Sequence, residues 1–170
     1  MGGGAGGPRR PAELVEEARR HRVGHDVAAL ERGEGPALHG ARDLVEEVAR
    51  RCPVALASSA PRRGIDAALR REGLAELFTA TVSSEEVPRG KPSPDVYLEA
   101  ARRLGVDPAR AAGVEDSGNG LRAAAAAGLA VVALPNPAFP PPPDALALAA
   151  HVAADHADVQ RFLLARLPAG

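Results

Sequence analysis

The sequence predicts an α/β protein: a Rossmann-like parallel sheet with helices on both faces. Three observations lead there. From residue 40 onward, short apolar runs alternate with stretches of helical periodicity. The runs at 52–57 and 129–134 are apolar without alternation, the pattern of strands covered on both sides. Two runs end on small hydroxyl or acidic residues followed by a turn and a helix, the arrangement by which open α/β sheets build sites at the carboxyl ends of their strands.

Taken in order, residues 1–11 form a Gly-rich tail of low complexity, expected to be disordered. Gly2, Gly4 and Gly7 match the spacing of a dinucleotide fingerprint, but no strand precedes them. Residues 12–35 read as a charged helical segment with a narrow apolar stripe of Leu14, Val15, Ala18, Val27 and Leu30. His21 and His25 share one face of it; without a third ligand nearby they read as surface histidines. Residues 36–170 form the core domain. A helix over 41–51 turns Leu44, Val45 and Val48 inward. The strand at 52–57 leads through Ser58-Ser59-Ala60-Pro61 into a helix over 62–71, closed by Gly73. A strand at 78–82 precedes the acidic Glu85-Glu86 loop. Ser93 as N-cap and Pro94 as first residue start a helix that ends near Gly105. A strand at 111–114 runs into Glu115-Asp116, and a helix over 121–127 stops at Gly128. The strand at 129–134 is followed by a Pro-rich rigid loop over 135–143, placed near the site. A short strand at 151–153 and a helix over 157–167 complete the chain. Asp155, His156 and Asp158 imitate a metal cluster on paper, but sequence neighbours converge poorly and a surface turn is the better reading.

Composition narrows the function. A net charge of −1 and 2% aromatic residues supply neither the electrostatics nor the stacking platform for nucleic acid. No apolar run reaches the length of a membrane helix, and no signal-peptide pattern opens the chain. A single cysteine, Cys52, excludes an internal disulfide and suits a reducing compartment, so the cytoplasm is expected.

Three successive strand–helix junctions carry a hydroxyl (Ser58, with Ser59), a cation (Lys91) and a carboxylate pair (Glu115, Asp116). Right-handed crossovers bring all three to one sheet edge. Lys91 is the one lysine among 21 basic residues, and its compact charge suits a phosphoryl oxygen. Adjacent acids suit a hard cation such as Mg²⁺. Taken singly, each residue has a plainer role: the serines as helix caps, the acids as solvated loop residues. Taken together they outline a phosphoryl site.

Ala55-Leu56-Ala57-Ser58-Ser59, Gly90-Lys91-Pro92-Ser93-Pro94-Asp95 and Val114-Glu115-Asp116-Ser117 resemble motifs two, three and four of the haloacid dehalogenase superfamily. The likeness is to the branch of β-phosphoglucomutase and small-metabolite phosphatases, and it runs over 36–165. It implies Mg²⁺-dependent phosphoryl transfer through an aspartyl phosphate. Ser58 would bind a phosphoryl oxygen, Lys91 would bridge that group and the nucleophile, and Asp116 with Glu115 would hold the metal. The family's first motif, Asp-x-Asp on a central strand between those carrying the serine and the acids, has no counterpart here, and neither has most of the helical cap. Residues 12–35 resemble that cap's remnant. The chain has therefore lost its start, borrows a strand, or closes the gap. The first case makes it a phosphatase or phosphomutase seen in part; a catalytically dead phosphate-binding or regulatory relative is the alternative. Hydrolysis by the chain as given is expected to be weak or absent.

Overall fold

Residues 40–137 and 139–167 are described by a computed structural model. The 1–11 tail, the 12–35 segment with the pair His21 and His25, and residues 36–39 all lie outside these residues. Strand and helix alternate as expected, with boundaries shifted by a few residues. The order is α1 (Ala41–Ala49), β1 (Ala55–Ser58), α2 (Arg62–Glu72), β2 (Ala80–Ser83), α3 (Asp95–Leu104), β3 (Ala112–Glu115), α4 (Gly118–Ala126), β4 (Ala130–Ala133), α5 (Pro143–Leu146), β5 (His151–Val152) and α6 (His156–Leu164). Gly73, at φ 63°, ends α2 in the left-handed conformation that a side chain resists. The start of α3 differs from the expected Ser93 cap. The Ser93 hydroxyl turns to Asp95 Oδ1 (2.7 Å), a carboxylate also gripped by Arg89 at 3.0 and 3.1 Å. The helix therefore begins at Asp95, with Pro94 at the cap position.

Every strand pair is parallel. The strands nevertheless form two ladders, β1-β2 and β3-β4-β5, and among the described residues none joins β1 to β3. One helical layer spans both. The helix α3 packs on β1 and β2 and touches α4, which lies on β3 and β4. Val96, Tyr97, Ala100, Leu121, Ala123 and Ala124 of these helices bury with Val82, Val131 and Ala133 of the strands in one apolar cluster. On the opposite face, Leu44 of α1 and Val159 of α6 cover Val132. The break between β1 and β3 among the described residues lies where the resemblance places a further strand.

The break shows in burial. All four β1 residues are only half-buried, and Val114 of β3 is 39% exposed, whereas Val131, Val132 and Ala133 of β4 are buried. This corrects the expectation that 52–57 is covered like a central strand. Among the described residues β4 has a strand on each side, while β1 and β3 have one each. The outer edge at β2 is treated differently. Arg62 and Arg103 both donate to the Thr81 carbonyl, at 3.0 and 2.7 Å, and so blunt that edge with charge.

Candidate functional site

The loop after β2 carries Lys91 to the carboxyl ends of β1 and β3. Its ammonium donates to the Ala57 carbonyl at 3.0 Å, to the Tyr97 hydroxyl at 3.4 Å and to Glu115 Oε1. The Lys91 side chain is 10% exposed and that of Glu115 7%. One buried cation thus ties the end of one ladder to the end of the other. The three junctions singled out in the sequence meet here: Ser58 follows Ala57, and Asp116 follows Glu115.

Glu115 is enclosed from every side. Oε1 receives Lys91 and the Tyr97 hydroxyl, while Oε2 accepts from Ser117 Oγ at 3.3 Å. Beneath it lies Gly120, where a Cβ would stand 1.7 Å from Oε2; only a glycine leaves this carboxylate room. Burial, and after it the charge of Glu115, push the Tyr97 phenol far above its ordinary range, so Tyr97 stays a neutral donor. The Lys91 ammonium also lies 4.9 Å from the centre of the Tyr97 ring, within cation–π range.

Asp116 behaves oppositely. It is exposed, and among the described residues it makes no hydrogen bond or ion pair. Ser117 caps α4, its Oγ accepting from the Gly120 amide at 3.1 Å. Ser58 also makes a turn contact, Oγ accepting from the Ala60 amide at 3.1 Å, which leaves its hydroxyl proton free to donate. Ser59 is exposed, and its carbonyl accepts from Ser84 Oγ at 3.0 Å. A cleft of about 420 Å³ opens at this end, lined by Ser59, Lys91, the Ser117-Gly118-Asn119 turn, Arg122 and Pro142. The lining includes Ser59 but not Ser58. Pro142 brings the Pro-rich loop to the cleft, where it was expected.

Sequence reasoning passed over Tyr97, Asn119 and Arg122. Tyr97 is the only tyrosine, six residues after the only lysine, and this pairing of single occurrences was the available signal. Arg122 pairs with Asp144 at 2.5 Å on the cleft's rim, a contact across 22 residues that no local pattern announces. Asp155 and Asp158 form the expected turn: Asp155 caps α6, accepting from the Asp158 amide at 2.8 Å.

Magnesium keeps several waters and takes one or two carboxylates together with substrate phosphate oxygens. Asp116, open and unpaired among the described residues, fits such a role. Glu115, expected beside it, is occupied on both oxygens by Lys91, Tyr97 and Ser117. Among the described residues no three metal-ligating side chains cluster.

A family model for haloacid dehalogenase-like hydrolases matches residues 8–128. The chain is 46% identical over 103 residues to the bifunctional riboflavin kinase/FMN phosphatase of Arabidopsis thaliana, an alignment covering 58% of this chain and 27% of that protein. It is 38% identical over 103 residues to hexitol phosphatase B of Escherichia coli, covering 60% and 46% of the two chains. The crystal structure of CbbY from Rhodobacter sphaeroides in complex with phosphate superposes with a TM-score of 0.69 at 31% identity, covering 91% of this chain and 69% of that one. The chain thus spans between about a quarter and about half of these two curated relatives.

Proposed function

Since the chain belongs to the haloacid dehalogenase-like hydrolases, we propose that its cleft binds the phosphoryl group of a small phosphorylated metabolite, of the sugar-phosphate class, for hydrolysis. One observation carries this reading: Lys91, held between Ala57 and Glu115, joins the serine junction to the acidic junction. The FMN and hexitol phosphatases among the relatives, and the phosphate bound to CbbY, support the substrate class.

In this proposal Ser58 and Ser59 donate hydroxyl hydrogen bonds to phosphoryl oxygens, and Lys91 meets their charge. Glu115 keeps Lys91 in place from behind. Asp116 would hold Mg²⁺, while Glu115 stays committed to Lys91, Tyr97 and Ser117; when bound, the metal offsets phosphoryl charge. The chain acts in the cytoplasm, without nucleic acid or membrane as partner. Among the described residues no helix is long and apolar enough to cross a membrane.

The step that breaks the phosphoryl bond needs a nucleophile. Asp116, exposed at the end of β3 next to the Ser117-Gly118-Asn119 turn that lines the cleft, is already assigned to the metal. Loss of a covalent nucleophile can cost on the order of 10⁶ in rate. We therefore propose binding without robust turnover for this chain alone. The break between β1 and β3 favours a second reading: a strand carrying an aspartate, from a partner or a longer form of the chain, completes the site. A generic phosphate ester assayed with Mg²⁺ tests both. Expected are background turnover by this chain and a rise with an N-terminally extended form. Robust turnover by this chain, abolished by Asp116→Asn, overturns the assignment of a missing nucleophile. Absence of any phosphate binding overturns the phosphoryl reading itself.

A further inference from the structure

We infer that Tyr97 is a positioning residue for this site: through Glu115 it holds the Lys91 ammonium at the end of the β1–β3 break. The inference deepens the phosphoryl-binding reading and rests on it. Lys91 has a flexible four-carbon stem and arrives on a loop, so an unrestrained ammonium would sample many rotamers. Three groups confine it: the Ala57 carbonyl, the Tyr97 ring and hydroxyl, and Glu115.

The hydroxyl does more than satisfy its own burial. It gives its one proton to Glu115 Oε1 and receives from Lys91, so a directed chain runs from Lys91 through Tyr97 to Glu115. A second path runs from Lys91 to the same oxygen directly. The triangle is closed by covalent structure as well, because Lys91 and Tyr97 are joined by the loop that starts α3. Phenylalanine at 97 would keep the ring face but leave Oε1 with one donor. Glu115 could then swing about its Ser117 contact, and Lys91 would lose its fixed counter-ion. Helix α3 is thereby coupled to the cleft, although Tyr97 does not line it.

The chain has one lysine and one tyrosine, which makes the test clean. With ¹³C-labelled lysine, the ε-methylene protons of Lys91 report its order by NMR, and calorimetry with inorganic phosphate and Mg²⁺ reports the site. In the wild type the two ε-protons are expected to be inequivalent, and the Tyr97 hydroxyl proton to exchange slowly and show a nuclear Overhauser contact to them. Tyr97→Phe is expected to collapse the inequivalence and to weaken phosphate binding about tenfold, which corresponds to ~1.4 kcal/mol. A fall in thermal midpoint with both readouts unchanged means a purely structural tyrosine and overturns the inference. So does a change in only one of the two in a protein that binds phosphate. If the wild type binds no phosphate, the phosphoryl reading fails, and the lysine signal still decides whether Tyr97 positions Lys91. Rapid exchange of the wild-type hydroxyl proton overturns the inference even where the variant does not fold.

Discussion

Lys91→Met removes the ammonium while keeping most of the stem's length. Glu115 stays behind at 7% exposure, with Tyr97 and Ser117 as its remaining donors. Removing one partner of a buried pair costs about 3–5 kcal/mol, because the other charge is left without compensation. The two surviving hydrogen bonds put this case at the lower end, near 3 kcal/mol by the same measure. Against a total stability of about 5–15 kcal/mol this is a large fraction. For a domain of this size, at roughly 2–4 °C per kcal/mol, it lowers the melting midpoint by about 6–12 °C. Urea unfolding followed by circular dichroism measures the loss. Glu115→Gln and the double variant complete a cycle, in which the double variant recovers a substantial part of it. Contacting charges couple by up to about 3 kcal/mol, so the coupling should lie well above experimental error. A Lys91→Met protein within ~0.5 kcal/mol of wild type, the range of an ordinary surface change, would refute the buried-pair argument. Strict additivity in the cycle would refute it as well.

The same geometry makes three further predictions. Gly120→Ala gains helix propensity but places a Cβ on Glu115; overpacking of this kind costs about 1–3 kcal/mol, and both the melting midpoint and phosphate affinity should fall. Asp116→Asn, at a position that is exposed and unpaired among the described residues, should leave the melting midpoint within the noise of surface changes while removing the Mg²⁺ dependence of phosphate binding; a midpoint drop without that effect would count against the metal assignment. The Tyr97 phenol has its folded-state pKa raised above the usual 10.0, first by burial and then by Glu115. Its stabilising contribution is therefore complete below pH 10.0 and is lost as pH rises above it. Phenolate absorbance of this single tyrosine should appear only as the protein unfolds in alkali; an ordinary titration in the folded state would contradict the buried hydrogen bond.

Much of this architecture is legible in the residues. Alternating apolar runs and helical periods specify the order of strands and helices, since each period of burial suits one backbone geometry. Parallel strands with right-handed crossovers then bring the ends of β1 and β3 to the same edge, which is why Ser58, Lys91 and Asp116 were expected together. The Glu115-Asp116 pair was legible as a pair but not as two different residues. Successive residues of a strand face opposite ways, so only the packed fold reveals which carboxylate turns toward Tyr97 and which toward water. Local pattern was likewise silent on Arg122 and Asp144, whose contact depends on where the Pro-rich loop lies.

Composition and periodicity act over a few residues, and they settle the elements, their order and the chemistry at each junction. Tertiary structure decides what depends on distance through space. Among the described residues it divides the strands into two ladders, buries Glu115 against Lys91 and leaves Asp116 exposed without a hydrogen bond or ion pair. The physical reason is that burial and ion pairing are set by neighbours dozens of residues away, 24 in the case of Lys91 and Glu115, beyond the reach of any local period.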